Sequence, residues 1–235
     1  MKRVLIVGNP IAGRGAARPA VDRLCAGLRA RGHAVDVAWT GAPGDAARLA
    51  AEHGPGRDAV VAAGGDGTLR EVYTGVQDLA PIVPLALGTA NMMARELAIP
   101  GDVERLVDLI EAGTERRIDV GRIGGTCFLA VVGVGFDAMV TEVIARSRRG
   151  ALGYRGYFLP ILRAALRYRR PRLRVALDGR PPLACGFVIV SKIARYGGVM
   201  RLSDRARVDS GELEVCVVEP ANACHLILLA PFALT

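Results

Sequence analysis

The chain has 235 residues, enough for one large domain or two small ones with a substantial core. It is 51% apolar and 23% charged, which excludes a disordered protein, and its net charge of +8, carried almost wholly by arginine, favours acidic partners such as a nucleotide, an anionic lipid or a nucleic acid. The five cysteines (Cys25, Cys127, Cys185, Cys216, Cys224) are scattered, odd in number and free of any C-x-x-C, so they read as reduced core residues of a cytosolic protein and exclude a disulfide or zinc framework.

In chain order, Met1-Lys2-Arg3 precedes only a strand-sized apolar run, Val4 to Val7, too short for a signal-peptide core, and no segment reaches the length of a membrane span. Arg3 to Val7 reads as a first parallel strand. Its loop, Asn9-Pro10-Ile11-Ala12-Gly13-Arg14-Gly15, fits neither G-x-G-x-x-G nor G-x-x-x-x-G-K-[ST]. On local grounds it is a plain strand-to-helix turn, though it could bring Asn9 and the Gly13 and Gly15 amides near a phosphate. A helix is expected over Ala16 to Arg31, with Val21, Leu24, Cys25 and Leu28 on one face and Gly32 as its stop. Ala34 to Trp39 is a second strand, Thr40 to Asp45 a loop, and Ala46 to His53 a helix.

Ala59 to Ala63 is a run of small and β-branched residues that can be covered on both faces, and it leads into Gly64-Gly65-Asp66-Gly67-Thr68. Leu69, Val72, Tyr73 and Val76 then recur at helical spacing. Strand, glycine turn and helix together aim backbone N–H groups at an anion, usually a phosphate. Asp66 is the odd member of that loop. A carboxylate beside a triphosphate is repelled by it, and so requires a compensating cation or a substrate hydroxyl whose proton it accepts. The competing reading, in which Asp66 only caps the helix, has equal local support.

Ile82 to Leu87 is another apolar strand and ends in Gly88-Thr89-Ala90-Asn91; helices follow over Met92 to Ala98 and Asp102 to Ala112. Alternating strands and helices predict a parallel sheet covered on both faces, with the loops gathered along its carboxyl edge, where ligands bind in open α/β sheets. After Arg117 the pattern changes. Ile118 to Ile123, Phe128 to Val132, Arg172 to Leu177, Phe187 to Ser191 and Leu213 to Val218 read as strands between turns, which predicts a β-rich second domain over 118–235 after an α/β domain over 1–117.

Between Val143 and Leu177 there are ten arginines (146, 148, 149, 155, 163, 167, 169, 170, 172, 174) and no Asp or Glu. Phe158, Ile161, Leu162, Ala165 and Leu166 can share one helix face, with Arg163, Arg167 and Arg170 on another. Such a helix suits an anionic membrane surface, with a solvated helix packed on the β domain as the alternative. No nucleic-acid recognition pattern accompanies the charge, so no nucleic-acid partner is expected. The apolar tail Leu226 to Leu234 is short and contains Pro231.

Asn9-Pro10 with Gly13, Thr40 with Gly44-Asp45-Ala46, Gly64-Gly65-Asp66-Gly67-Thr68, Pro84 through Asn91, Ile118-Asp119-Val120-Gly121 and Gly133 through Ala138 stand in the order found in the diacylglycerol kinase catalytic-domain family, which the chain resembles from Lys2 to Pro220. The family includes bacterial lipid kinases and the sphingosine and ceramide kinases. The resemblance implies a three-layer α/β nucleotide-binding domain of NAD kinase/diacylglycerol kinase type, followed by a β-sandwich-like domain. It implies ATP held by Asn9, Thr40, Gly64, Gly65, Asp66, Gly67, Thr68, Thr89 and Asn91, and Mg2+ in a water network with Asp66 and Asp119. The γ-phosphate would pass to a lipid hydroxyl in phospholipid metabolism, on the cytoplasmic side of the inner membrane, with Asp66 as the catalytic residue.

Three departures accompany the resemblance. Met92 stands where the family often has Asp. The Asp-Gly pair with which bacterial relatives bind a structural magnesium is Ser210-Gly211 here, with Asp209 one residue early as the substitute ligand. The late carboxylate stretch of the family has no counterpart before Thr235, so the second domain is expected to be C-terminally incomplete, with an open sheet edge that leaves room for a homodimer. Two rival readings remain at this point: an NAD kinase-like phosphotransferase acting on a soluble nucleotide, and a catalytically impaired protein that binds nucleotide or membrane.

Overall fold

The computed structural model describes residues 1–147, 158–168, 173–197 and 200–218. Arg148, Arg149, Arg155, Arg169, Arg170, Arg172, Cys224 and the tail at 226–234 lie outside the described residues. The chain divides into two compact units, Met1–Arg117 and Ile118–Thr235.

In the first unit the elements in order are β1 (Arg3–Gly8), α1 (Ala17–Ala30), β2 (Ala34–Trp39), α2 (Asp45–His53), β3 (Ala59–Gly64), α3 (Asp66–Val76), β4 (Ile82–Ala86), α4 (Met92–Glu96) and α5 (Val103–Ala112). The four strands form one parallel sheet in the order β2-β1-β3-β4. Alternation along each strand divides the apolar residues between two faces. Val4, Ile6, Ala59, Val61, Ala63 and Leu85 pack with Val21, Leu24 and Leu28 of α1 and Leu106, Val107 and Ile110 of α5. Leu5, Val7, Val60 and Ala62 point the other way and are equally buried. β3 is buried at all six positions, as a run without polar alternation requires.

Local signals set the helix ends. Asp102 caps α5, its carboxylate accepting the Arg105 N–H at 3.0 Å, and Gly113 ends that helix at φ 67°. α4 is shorter than the expected Met92 to Ala98: it ends at Glu96, and Ala98 has φ 51°. A 3-10 turn (Ala12–Gly15) precedes α1, with Gly13, Arg14 and Gly15 all at positive φ.

The second unit contains β5 (Gly121–Ile123), β6 (Thr126–Phe128), β7 (Val131–Val134), α6 (Phe136–Ser147), α7 (Phe158–Arg167), β8 (Leu173–Val175), β9 (Leu183–Cys185), β10 (Phe187–Ser191), β11 (Arg195–Tyr196), β12 (Met200–Arg201) and β13 (Glu214–Val218). An antiparallel sheet runs β13-β10-β7, and β5-β6, β8-β9 and β11-β12 are two-stranded. Its core joins Phe136, Ala164, Ala165, Phe187 and Ile189, with the Phe136 and Tyr168 rings edge to face at 5.4 Å.

Several expectations for this unit are corrected. Ile118 to Ile123 is strand only from Gly121, because the Asp119 N–H is given to the Val208 carbonyl instead of a neighbouring ladder. Phe128 to Val132 is broken in two: Phe128 pairs with Gly121 and Val131 with Ser191, while the Ala130 carbonyl takes the Lys192 N–H. α6 was not expected as a helix. Among the described side chains of α7, Ala164 and Ala165 are buried, whereas Leu166 is 70% exposed rather than inward; the side chains of Phe158 and Ile161 lie outside the described residues.

Candidate functional site

The glycine loop is built by close backbone approach. A Cβ on Gly64 would lie 2.3 Å from Thr68 Oγ1, so the first turn of α3 folds directly over the end of β3. A Cβ on Gly88 would lie 2.6 Å from the Gly65 Cα, so the loops after β3 and β4 touch through main chain alone. The Leu87 N–H bonds the Gly64 carbonyl at 2.9 Å, and the Leu69 N–H bonds the Gly65 carbonyl at 3.0 Å. Gly65 is the N-cap of α3, so Asp66, Gly67 and Thr68 are its first turn, where amides have no partner within the helix. Thr68 is buried.

Asp66 aims its carboxylate across to the next loop. Oδ1 lies 3.3 Å from the Met93 N–H, and the Met92 and Asn91 amides and its own also face it. Burial is the larger influence and raises the carboxyl above the ordinary aspartate range, against the lowering by these amides. Asp66, Gly64, Gly65, Asn91 and Ala94 line one recess. Asn91 sits at φ 46°, and both ends of its amide are used within the turn: Oδ1 takes the Gly88 N–H at 2.8 Å and Nδ2 gives to the Gly88 carbonyl at 2.9 Å. Its side chain shapes the loop, and its N–H faces Asp66.

The other site residues expected in this unit stand on the same sheet edge at differing distances from Asp66. Asn9 follows β1, beside β3, and its N–H bonds the Ala63 carbonyl at 2.9 Å while Oδ1 accepts the Ile11 N–H at 3.2 Å. A Cβ on Gly13 would lie 3.4 Å from the Leu87 carbonyl oxygen, which brings that loop to the end of β4. Thr40 follows the edge strand β2, one strand further out, and its N–H bonds the Gly8 carbonyl. The Thr40 loop is closed by Asp45, whose Oδ2 takes the Gly41 and Ala42 amides at 2.8 and 2.9 Å; these bonds hold its carboxyl below the usual range. Thr89 is half-buried within the loop after β4.

In the second unit Asp119 is tied to Lys192 Nζ at 2.6 Å and to the Gly211 N–H at 2.6 Å, contacts that lower its carboxyl, the Lys192 bond most. Asp209 accepts Arg207 Nε at 3.3 Å and adds negative charge beside Asp119. Among the described residues no three His, Cys, Asp or Glu side chains converge on a point where a metal ion could be held by protein alone. Sequence reasoning missed two groups here. Lys192 is one; its signal is a lysine placed directly after an apolar strand. Asp137, which stands in the Gly133–Ala138 stretch with no role assigned to it, is the other: Tyr196 Oη donates to it, and burial raises its carboxyl. No helix among the described residues is long and apolar enough to cross a membrane.

Residues 3–123 match the model of the diacylglycerol kinase catalytic domain, and residues 130–234 that of the YegS C-terminal NAD kinase beta sandwich-like domain. The chain is 28% identical over 242 residues to the diacylglycerol kinase of Bacillus subtilis (strain 168), covering all of this chain and 79% of that protein. It is 32% identical over 216 residues to the Chromohalobacter salexigens protein named Probable lipid kinase YegS-like, covering 88% of this chain and 68% of that one. The crystal structure of a diacylglycerol kinase from Bacillus anthracis str. Sterne superposes with a TM-score of 0.70 at 23% identity, over 96% of this chain and 76% of that one, and so shares its fold. An α/β unit with a parallel sheet, a β-sandwich-like unit after it and a carboxylate set between two glycine loops are thus joined to direct sequence kinship: the chain belongs to the diacylglycerol kinase catalytic-domain family.

Proposed function

We propose that the protein is an ATP- and magnesium-dependent lipid kinase that passes the γ-phosphoryl group to the hydroxyl of a lipid such as diacylglycerol. The observation that carries this reading is the Asp66 carboxylate, half-buried at the junction of two glycine loops and raised in basicity by that burial. Phosphoryl transfer needs positioning and charge neutralisation more than covalent chemistry. The first-turn amides of α3 over Asp66, Gly67 and Thr68, with Gly64 and Gly65 admitting close approach, bind phosphate oxygens on this reading. Asn9, Thr40 and Thr89 hold the rest of the nucleotide along the sheet edge, and Asn91 contributes by shaping the loop that carries Thr89.

Asp66 accepts the proton of the attacking hydroxyl, a task for which a raised carboxyl pKa is an advantage. Magnesium is usually bound by one or two carboxylates together with substrate phosphates, so a lone Asp66 fits an ion that arrives with the nucleotide. When bound, that ion supplies neutralisation of charge on the phosphate oxygens. Asp66 would be the carboxylate that holds it. Within the second unit, Asp119 keeps Oδ1 for water, since Oδ2 is occupied, and Asp209 contributes negative charge near Asp119.

The exposed side of α7 supports a peripheral position on the anionic cytoplasmic surface of the inner membrane. Leu159 and Leu166, 49% and 70% exposed, alternate with exposed Arg163 and Arg167 at spacings that place all four on one side.

The test is ADP release by the purified chain with magnesium and mixed micelles of candidate lipids, beside a lipid-free control. Lipid-dependent turnover that disappears in Asp66→Asn is the expected result. Turnover of a soluble nucleotide without lipid would favour an NAD kinase-like phosphotransferase. ATP raising the melting temperature without turnover would favour a catalytically impaired binding protein.

A further inference from the structure

The chain has two lysines among its 31 basic residues, and one of them, Lys192, is 2% exposed. A buried ammonium is tolerated only when its charge and its protons are met. Lys192 Nζ lies 2.6 Å from Asp119 Oδ2, 2.7 Å from the Glu212 carbonyl oxygen and 3.4 Å from Ser210 Oγ. Its own N–H bonds the Ala130 carbonyl at 2.8 Å, which anchors the base of the side chain just after β10. The same Asp119 Oδ2 takes the Gly211 N–H at 2.6 Å. Asp119 Oδ1 has no hydrogen bond among the described residues, and the side chain is 38% exposed.

Three oxygens converging on one point are what a bound metal ion would require. The distances, however, are those of ammonium hydrogen bonds, well beyond the about 2.0–2.1 Å that magnesium demands. A compact ammonium with three donors fits this arrangement better than a planar guanidinium, which explains a lysine in a chain whose cations are almost all arginine.

We infer that Lys192 is the resident cation of the second unit. Its tethered ammonium takes the position of a metal ion among Asp119 Oδ2, Ser210 Oγ and the Glu212 carbonyl, holds the 210–212 loop, and fixes Asp119 with Oδ1 outward as its working atom. Lys192 is thus a positioning residue. The clamp stands on the geometry alone; the work assigned to Oδ1 rests on the kinase reading.

Hydrogen exchange read by mass spectrometry over residues 207–212 of the full chain, in EDTA and in magnesium, tests the clamp. The wild type is expected to exchange equally in both media. Lys192→Met keeps the apolar stem but loses the charge, and is expected to speed exchange there by about tenfold or more, because removing one partner of a buried pair is strongly destabilising. Lys192→Arg is expected to recover part of the protection. Faster exchange of the wild type in EDTA, or unchanged exchange in Lys192→Met, would overturn the inference. If Lys192→Met does not fold, the two wild-type arms and Lys192→Arg still decide it.

In the lipid-kinase assay Lys192→Met is expected to lower kcat by roughly 10–100-fold, the scale at which partners that orient a site carboxylate act. KM for ATP should stay unchanged, and Lys192→Arg should restore part of kcat. Loss through KM instead would remove the positioning role. Absence of turnover in the wild type would sink the kinase reading, while the exchange arms still judge the clamp.

Discussion

Asp66 and Asp119 are pushed in opposite directions by their surroundings, and the difference is measurable. Burial raises the Asp66 carboxyl, so its ionised form is disfavoured in the folded state. Stability from the protonated form is present below the ordinary aspartate pKa and is lost as pH rises through the raised folded value. Asp66→Asn removes that penalty, and its melting temperature is expected to equal or exceed the wild type's at neutral pH, with the difference fading in acid. Turnover should fall by roughly 10²–10⁴, the usual contribution of a positioned proton acceptor. A variant that is both inactive and markedly less stable would show that Asp66 serves the fold. Asp119 is lowered by Lys192 and then by the Gly211 amide, so its contribution is present above the ordinary aspartate pKa and is lost as pH falls through the lowered value. Asp119→Asn should therefore melt below the wild type at neutral pH, and the two melting curves should converge as acid is added.

Among the elements, the parallel sheet was legible because β3 and its neighbours are apolar on both faces, and because glycine stands where backbones touch. The helix read over Asp102 to Ala112 begins one residue later, at Val103, because Asp102 is its cap and accepts the Arg105 amide. Asp102→Ala should lower stability by about 1 kcal/mol, read as a shift of the urea midpoint without a change in slope. Gly88→Ala is expected to be worse, by about 1–3 kcal/mol, since its Cβ would meet the Gly65 backbone and Asn91 Oδ1, where little can move. Equal midpoints for Gly88→Ala and wild type would mean that the two loops do not meet as described.

The second unit was harder to read, and the reasons are particular. β11 and β12 are two residues long, too short for any periodic signal. α6 did carry one, with Phe136, Met139, Val140, Val143 and Ile144 at helical spacing, but it adjoins the arginine-rich run and was absorbed into it. Lys192 had no readable partner, because Asp119 lies 73 residues away in sequence and the contact exists only after folding.

At the scale of the whole molecule, a charge of +8 acts on anything acidic, so the question is whether attraction to lipid is general or belongs to one face. General attraction would scale with net charge and disappear once salt screens it. The Debye length falls from about 10 Å at 0.1 M to about 3 Å at 1 M salt. A face that also inserts leucine keeps part of its binding there, because burial of apolar side chains is not screened. On the α7 reading, the chain should sediment with anionic vesicles at low salt, retain a fraction of that binding at high salt, and ignore zwitterionic vesicles. Leu159→Ser with Leu166→Ser should abolish the salt-resistant fraction while leaving the low-salt binding, since both leucines are solvent-facing and their loss opens no cavity. Arg163→Glu with Arg167→Glu should do the reverse and weaken the low-salt binding first. If both pairs bind like the wild type at every salt concentration, α7 is a solvated helix packed on its own unit, and the membrane contact must be sought on another surface.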